Sequence, residues 1–148
     1  MRYEFSLEVL LEHRRRTENE ARRQYMEAQA KVDQAVAQLN EYYAQVDRTR
    51  EDNLNLQRQG GAKSSSLVAN ENFITGQKVR IETQRMKIRE LKMAAEELQL
   101  ALVEAAKETK TLEKLKERQQ EEYKKARRKR DMKETDELVV LRHKVQDS

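Results

Sequence analysis

The sequence contains no cysteine, no proline and no tryptophan, and among its 148 residues it has only three Gly and two Phe. Without Cys, disulfides, thiol nucleophiles and cysteine metal sites are excluded. Without Pro and with so few Gly, long helices meet almost no residue that breaks them. The composition, 39% charged and 36% hydrophobic, is typical of a coiled coil if the apolar residues are periodic and of disorder if they are not.

The chain also lacks any apolar run that approaches the roughly 20 residues needed to span a bilayer. Its first stretch, MRYEFSLEVLLEH, carries acidic residues among the apolar ones and has no small-residue cleavage site, unlike a signal peptide. We therefore predict a cytoplasmic protein. The net charge of +4 is mild because 31 basic residues nearly match 27 acidic ones. Any contact with a polyanion must then depend on local blocks of charge.

Residues of one helix face recur at seven-residue intervals in both halves of the chain. In each half, two such series are offset by three or four residues, the spacing of a helix that packs against a partner helix. We call these positions the seam. They are Leu7, Arg14, Ala21, Ala28, Ala35, Tyr42, Thr49 and Leu56 with Leu11, Glu18, Tyr25, Val32, Leu39, Val46 and Asn53, and then Ile74, Ile81, Ile88, Ala95, Leu102 and Thr109 with Gln77, Gln84, Leu91, Leu98, Ala105 and Leu112.

A short break, RQGGAKSSS, separates the two halves. Its Gly pair favours helix termination, and Ser66 is the predicted cap of the next helix. We predict an all-α fold, an antiparallel two-helix coiled coil with an overhanging C-terminal helix, in a single domain. Its helices run over about 6–58 and about 67–144, with the turn at about 59–66. A parallel dimer with a local interruption is the alternative.

The two predicted helices differ in length, so the second one outlasts its partner. If the turn centres near Ala62, Ser6 faces about position 118, and the residues beyond 118 have no intramolecular partner. There the sequence from Lys124 to Lys133 holds seven basic residues and one acid, a local net charge of +6. It is either a solvated helix face or an electrostatic dock for an acidic surface. Nucleic acid is not expected, because the block comes after the heptads and no aromatic residues interleave with it.

A second basic group, HRRRTENEARR, lies on the first helix. Arg14 and Glu18 occupy seam positions there, where apolar residues would pack best. They either fix the register of the two helices or mark an end that another protein completes.

Both ends of the chain are more apolar than one seam requires. The N-terminal end has Tyr3, Phe5 and the run from Leu7 to Leu11. The C-terminal end carries a set that we call the tail patch: Leu138, Val139, Val140, Leu141 and Val145. We predict that both ends are adhesive and that the tail patch fits a groove in a partner, with mutual packing of copies as the alternative. A membrane-surface helix is not expected, because acids are scattered through the tail.

Catalytic motifs are missing from the sequence. His13 and His143 are its only histidines, no Gly-rich loop is present to hold phosphates, and two helices cannot enclose a pocket. We predict a protein that is not an enzyme and that binds neither a cofactor nor a metal.

Two segments, YEFSLEVLLEHRRRTENEA (3–21) and LVEAAKETKTLEKLKERQQEEYKKARRKRDMKETDELVVLRH (102–143), resemble the FliJ family of flagellar export proteins. The resemblance covers nearly the whole chain. It implies a cytoplasmic component of the type III export apparatus, shaped like the central stalk of rotary ATPases. Such a protein inserts into the hexameric export ATPase FliI, promotes its ring assembly, contacts the export gate protein FlhA and escorts export chaperones. It reaches the membrane only through these partners.

The resemblance also implies contact residues. The candidates for the ATPase ring are the basic and polar residues near the unpaired end: Arg14, Arg15, Arg16, Glu18, Arg22, Arg127, Arg128 and Arg130. The candidates for the export gate are Gln38, Tyr42 and Phe73, whereas Gln45, Thr49, Gln77, Arg80 and Gln84 depart from the family pattern. A stalk protein of a virulence-type injectisome and a generic coiled-coil scaffold are the alternative functions.

Overall fold

The structure, a computed structural model, describes residues 3–60 and 65–146 and contains two long helices. Helix α1 spans Glu8–Arg58 and helix α2 spans Ser65–Gln146. The helices pack against each other, and no strand occurs in the described residues. The predicted all-α helical hairpin is therefore confirmed. Helix α1 begins at Glu8 rather than at about residue 6, and α2 begins at Ser65 rather than at about residue 67.

The end of α1 is set by glycine. The main-chain nitrogen of Gly60 donates to the carbonyl of Gln57 at 3.0 Å, and Gly60 has a φ of 80°. A residue with a Cβ adopts that left-handed conformation only under strain. The centre of the predicted turn, Gly61 to Lys63, lies outside the described residues. Ser66 lies inside α2, so its prediction as the cap was wrong: three serines stand in a row, and the pattern does not distinguish them.

The chain divides into two compact units by its internal contacts. One unit, here the terminal unit, comprises Met1–Asn19 with Val103–Ser148, and the other, the central unit, comprises Glu20–Leu102. Both contain one part of α1 and one part of α2. The single coiled-coil domain that the sequence predicts stays a prediction.

Within the central unit the two helices run antiparallel. Asp52 accepts a hydrogen bond from Asn70 at 2.8 Å, Gln45 accepts one from Gln77 at 2.5 Å, and the carbonyl of Ala35 accepts one from Gln84 at 2.9 Å. Residue numbers thus fall along α1 as they rise along α2. The contacts are intramolecular, so the hairpin is confirmed over the alternative of a parallel dimer.

The seam of the central unit mixes apolar layers with two buried amides. Its buried apolar members are Val32, Ala35, Val46, Ile81, Ile88 and Ala95, all predicted seam positions. Gln77, almost completely buried, donates to Gln45 and accepts from Arg80 at 2.7 Å. Because Ala35 is small, Gln84 reaches past it to the main chain of α1. A buried amide without a partner is costly, so a shift in register that removes the partner of Gln77 or Gln84 is penalised.

The second glycine in the described residues stands in the interior of α2 without steric need. A Cβ at Gly76 would meet no atom within 4 Å. We expect Gly76→Ala to raise the free energy of unfolding by about 1 kcal/mol, because Ala has the higher helix propensity. Urea unfolding followed by far-UV circular dichroism measures the change.

The control is the same substitution at Gly60. A Cβ there also meets no atom, but the φ is positive. Gly60→Ala should lower the free energy of unfolding by about 1 kcal/mol. Equal effects of the two substitutions would contradict the glycine cap of α1.

Candidate functional site

The last part of α2 is exposed on every side. All residues from 124 to 146 are exposed, and Tyr123 is the last half-buried one. The register of the sequence places the start of this exposed part after about 118. The structure places it later because residues that precede α1 continue along α2.

The N-terminal segment packs on α2 of its own chain. Phe5 is buried, and the ring of Tyr3 lies 5.5 Å from the ring of Tyr123. The Tyr3 hydroxyl donates to the carbonyl of Lys116 at 3.4 Å, and the Lys116 ammonium pairs with Glu8 at 2.8 Å. Phe5 is buried within the chain itself, so the prediction that this end is adhesive toward partners was wrong for Phe5. Tyr3 is half-buried, and for it and the other apolar residues of this end the adhesive role stays a prediction.

The basic block forms a belt around α2. An α-helix turns by about 100° per residue, so seven cations within ten positions point in all directions over about 14 Å of its length. We call this set the basic belt: Lys124, Lys125, Arg127, Arg128, Lys129, Arg130 and Lys133, all of them exposed. A surface that meets the belt from any side encounters positive charge.

The basic group of α1 is arranged differently. In the terminal unit, Arg14 pairs with Glu108 of α2 at 2.9 Å and Arg15 pairs with Glu113 at 3.4 Å. Arg16 approaches Glu12 of its own helix at 3.9 Å. Glu108 precedes Arg127 by 19 positions, roughly 28 Å along the helix. The structure therefore does not bring Arg14 or Arg15 together with the basic belt.

The remaining members of that group have different surroundings. Glu18 is a half-buried seam residue of the terminal unit, whereas the exposed Arg22 belongs to the central unit. The adjacent Arg23 binds Glu20 and Glu27 on its own helix. Hydrogen bonds from Arg23 lower the pKa of the Glu20 carboxyl below its usual 4.5, and hydrogen bonding with Glu20 raises the pKa of Arg23. Four arginines of this group, Arg14, Arg15, Arg16 and Arg23, thus pair with acidic residues of the same chain.

Two of the gate candidates share a groove of the central unit. Gln38 and Tyr42 line this open groove, of about 390 Å³, together with Gln84 and Lys87 of α2. Phe73 is 39% exposed and does not line that groove. Of the residues that depart from the family pattern, Gln45 and Gln77 are hydrogen-bonded to each other in the seam.

The tail patch is exposed and wraps around the helix. Leu138, Val139, Val140 and Leu141 are each more than half exposed. Leu138 and Leu141 lie on one face, and Val139 and Val140 lie away from it, as four successive helix positions must. No described part of the chain covers these side chains. In residues 3–60 and 65–146, neither helix has an apolar stretch long enough to cross a bilayer.

A family model described as "Flagellar FliJ protein" matches residues 3–148. The chain belongs to the FliJ family. The match includes α1, α2 and the exposed tail, so the resemblance of the two quoted segments is confirmed over nearly the full length. No curated protein and no solved structure matches this chain.

Membership of the FliJ family makes the chain a component of the flagellar export apparatus. The family consists of non-enzymatic export components. Within the part of the chain that the structure describes, no group of three or more His, Asp or Glu could hold a metal ion.

Two leucines of the terminal unit differ in exposure, one in its packed part and one in its exposed part. Leu11 has no exposed surface, whereas Leu138 is 61% exposed. Leu11→Ala should lower the free energy of unfolding by about 2–5 kcal/mol, because it leaves a cavity in the seam. The matched change Leu138→Ala should alter it by less than about 0.5 kcal/mol.

Urea unfolding of both variants measures this difference. A large loss of stability for Leu138→Ala would mean that the tail packs on the rest of the chain.

Proposed function

We propose that the exposed end of α2 enters the central hole of the hexameric export ATPase FliI and promotes assembly of its ring. In this role the chain resembles the stalk of a rotary ATPase. It acts through shape and charge and is not itself an enzyme, and the chemistry on ATP belongs to the ring.

The observation that supports this proposal most directly is the distribution of charge on the basic belt. A helix inside a ring meets protein on all sides, and the belt is cationic on all sides. A flat acidic surface would need cations on one face only. Long-range attraction between the belt and an acidic lining of the ring would also speed up the encounter of the two proteins.

The ring candidates on α1 play a secondary part in the proposal. Arg14 and Arg15 hold α1 against α2 through Glu108 and Glu113. An exposed ion pair of this kind contributes only about 0–1 kcal/mol to stability. An acidic residue of a partner can therefore replace Glu108 or Glu113 at little cost in free energy. Arg16, Glu18 and Arg22 stay candidates, whereas Arg127, Arg128 and Arg130 of the belt are the primary contacts.

The proposal includes two further partners. The export gate protein FlhA would contact the groove that Gln38 and Tyr42 line, with Phe73 as an additional contact. The tail patch, including Leu138, Val139 and Leu141, would fit an apolar groove of a partner such as an export chaperone. The chain would then work in the cytoplasm and reach the membrane at the flagellar base only through these proteins.

Reversal of four charges tests the ring contact. We expect replacement of Arg127, Arg128, Lys129 and Arg130 by Glu to abolish stimulation of the cognate ATPase, because the belt would then repel an acidic lining. Hydrolysis rate and ring assembly, the latter by sedimentation, are the two measurements. The stimulation by the unaltered chain should also decline as salt screens the charges.

The matched control reverses four exposed cations of the central unit, Lys78, Arg85, Arg89 and Lys92, which changes the net charge equally. This variant should stimulate the ATPase like the unaltered chain. Equal stimulation by both variants would remove the electrostatic part of the proposal. A generic scaffold would show no effect on the ATPase with any of the three proteins.

A double substitution tests the gate contact. Gln38→Ala with Phe73→Ala removes two exposed side chains without touching the seam. We expect its affinity for the cytosolic part of FlhA to fall about tenfold, the effect of losing about 1.4 kcal/mol of contact energy. Isothermal titration calorimetry measures the affinity. Leu54→Ala with Gln57→Ala, at two other exposed positions of this unit, is the control, and equal affinities of the two variants would contradict the assignment of this surface.

A further inference from the structure

One face of the exposed end of α2 has the same spacing on either side of Met132. The positions four and seven residues away in both directions lie within about 40° of Met132 around the helix. They hold Lys125, Arg128, Asp136 and Val139, all of them exposed, and Met132 itself is 67% exposed. We call these five residues the outer face. Their spacing is that of a helix that packs against a partner helix.

The outer face is directed away from the N-terminal segment. Tyr123 stands nine positions before Met132, which places it about 180° away around α2. The ring of Tyr3 packs on Tyr123 and therefore lies on that opposite side. A second helix laid along the outer face does not displace Tyr3.

The outer face is complementary to itself. In an antiparallel pair of copies centred on Met132, Arg128 of one copy lies at the level of Asp136 of the other, and Lys125 lies at the level of Val139. Each Met132 lies beside its own counterpart. The pair thus brings a guanidinium to a carboxylate twice, and the aliphatic stem of each Lys125 can cover a Val139.

Charges on the flanks agree with this arrangement. In an antiparallel pair of helices, like flanks meet. Lys129 and Asp136 are on the same flank of the outer face, and the antiparallel pair brings them to within about one residue of the same level. Each Asp136 is then approached by two cations of the other copy, Arg128 and Lys129.

The order of charges along the helix also favours this centre. Between residues 120 and 144, wherever the antiparallel pair places two of the Asp, Glu, Lys and Arg residues at one level, their signs are opposite. The pairs at one level are Glu122–Arg142, Arg127–Glu137, Arg128–Asp136, Arg130–Glu134 and Asp131–Lys133.

Other arrangements of two copies bring like charges together. Displacing one copy by a single residue places Arg130 at the level of Lys133, or Asp131 at the level of Glu134, depending on the direction. A parallel pair in register places every charge beside its own counterpart. Such like-charge contacts select against these alternatives.

We propose that the outer face is the docking surface for a second copy of this chain, which binds through its own outer face in the antiparallel orientation. The two helices overlap from about residue 121 to about residue 143, roughly 33 Å. Attraction between the copies is mainly electrostatic, because Met132 and Val139 are the only apolar members of the outer face. Exposed ion pairs are weak and are screened by salt, so the dimer is reversible and salt-sensitive.

Dimer formation has a consequence for the basic belt. Arg128 and Lys129 belong to the belt and also contact Asp136 of the second copy in this arrangement. They bind either a second copy or an acidic surface of another protein, so self-association withholds part of the belt from such a surface. The inference depends on α2 alone and not on the role proposed with the ATPase.

Variants with exchanged charges test the orientation and the centre of the pair. Arg128→Asp alone places two carboxylates at one level, and Asp136→Arg alone places two guanidinium groups there. We expect each variant to raise the Kd of self-association at least about tenfold, measured by sedimentation equilibrium at low salt. A mixture of the two variants has unlike charges at both levels and should associate like the unaltered chain.

The matched control is Arg89→Asp, at an exposed position of the central unit, which changes the net charge as Arg128→Asp does. This variant should associate like the unaltered chain. The circular dichroism spectra of all three variants should be unchanged, because the substituted side chains are exposed.

Since the chain has no cysteine, single Cys substitutions report the geometry directly. Met132→Cys should give a disulfide-linked dimer when copper phenanthroline is added as the oxidant, because the two copies of this position are adjacent. Val139→Cys, on the same face, is the control. Its two copies are separated by about 14 positions, roughly 21 Å, which is too far for a disulfide.

Three results would overturn the proposal: a chain that stays monomeric at low salt and high concentration, a mixture of Arg128→Asp with Asp136→Arg that does not associate, or efficient linking through Val139→Cys, which parallel pairing produces. None of these measurements involves the ATPase, so their failure is distinct from failure of the ring contact.

Discussion

Packing of α1 against α2 along the seam decides which side chains this chain covers by itself. Leu11, Val46 and Ile81 are buried only because a second helix lies over them. A two-helix coiled coil has no other interior, and its stability depends on this one row of contacts. Most of the charged residues, which make up 39% of the chain, then stay on the surface, where they can bind partners. Most of the described residues of this chain are exposed.

The seam also carries its own control of register. Apolar layers tolerate a slip of one heptad, since one aliphatic pair replaces another. The amide of Gln77 needs Gln45, and the amide of Gln84 needs the carbonyl of Ala35. A shift by less than a heptad would bury both amides without these partners, so the amides penalise it. A slip of a whole heptad would bring Gln38 and Ala28 to the places of Gln45 and Ala35, and the amides do not exclude it.

Because α2 is longer than α1, the charged last part of α2 has no facing helix and is a candidate binding site. Helix α1 has 51 residues and α2 has 82. Over the shared length, cations such as Arg14 find acids on the facing helix. Beyond Tyr123 no α1 residue faces the described part of α2, and the seven cations of the belt stay exposed. The same residue types thus pair with acids of the facing helix in one place and remain available to an acidic surface in another.

Periodicity in the sequence by itself determined the two helices and the seam, because a 3–4 spacing places one face of each helix against a partner helix. The Gly pair favoured an antiparallel hairpin over a parallel dimer, and the contacts between α1 and α2 decided it. The sequence also identified the family. Only the tertiary structure decided which residues outside the seam are covered. Tyr3 and Phe5 precede the first heptad, so no spacing indicates that Phe5 is buried or that Tyr3 packs against α2 beside Lys116 and Tyr123. Val79, Met86, Met93 and Leu100 recur every seven residues, as seam residues do, but the structure shows that all four are exposed. The burial of a side chain depends on which part of the other helix lies over it, and the pattern of residues along one helix does not show this.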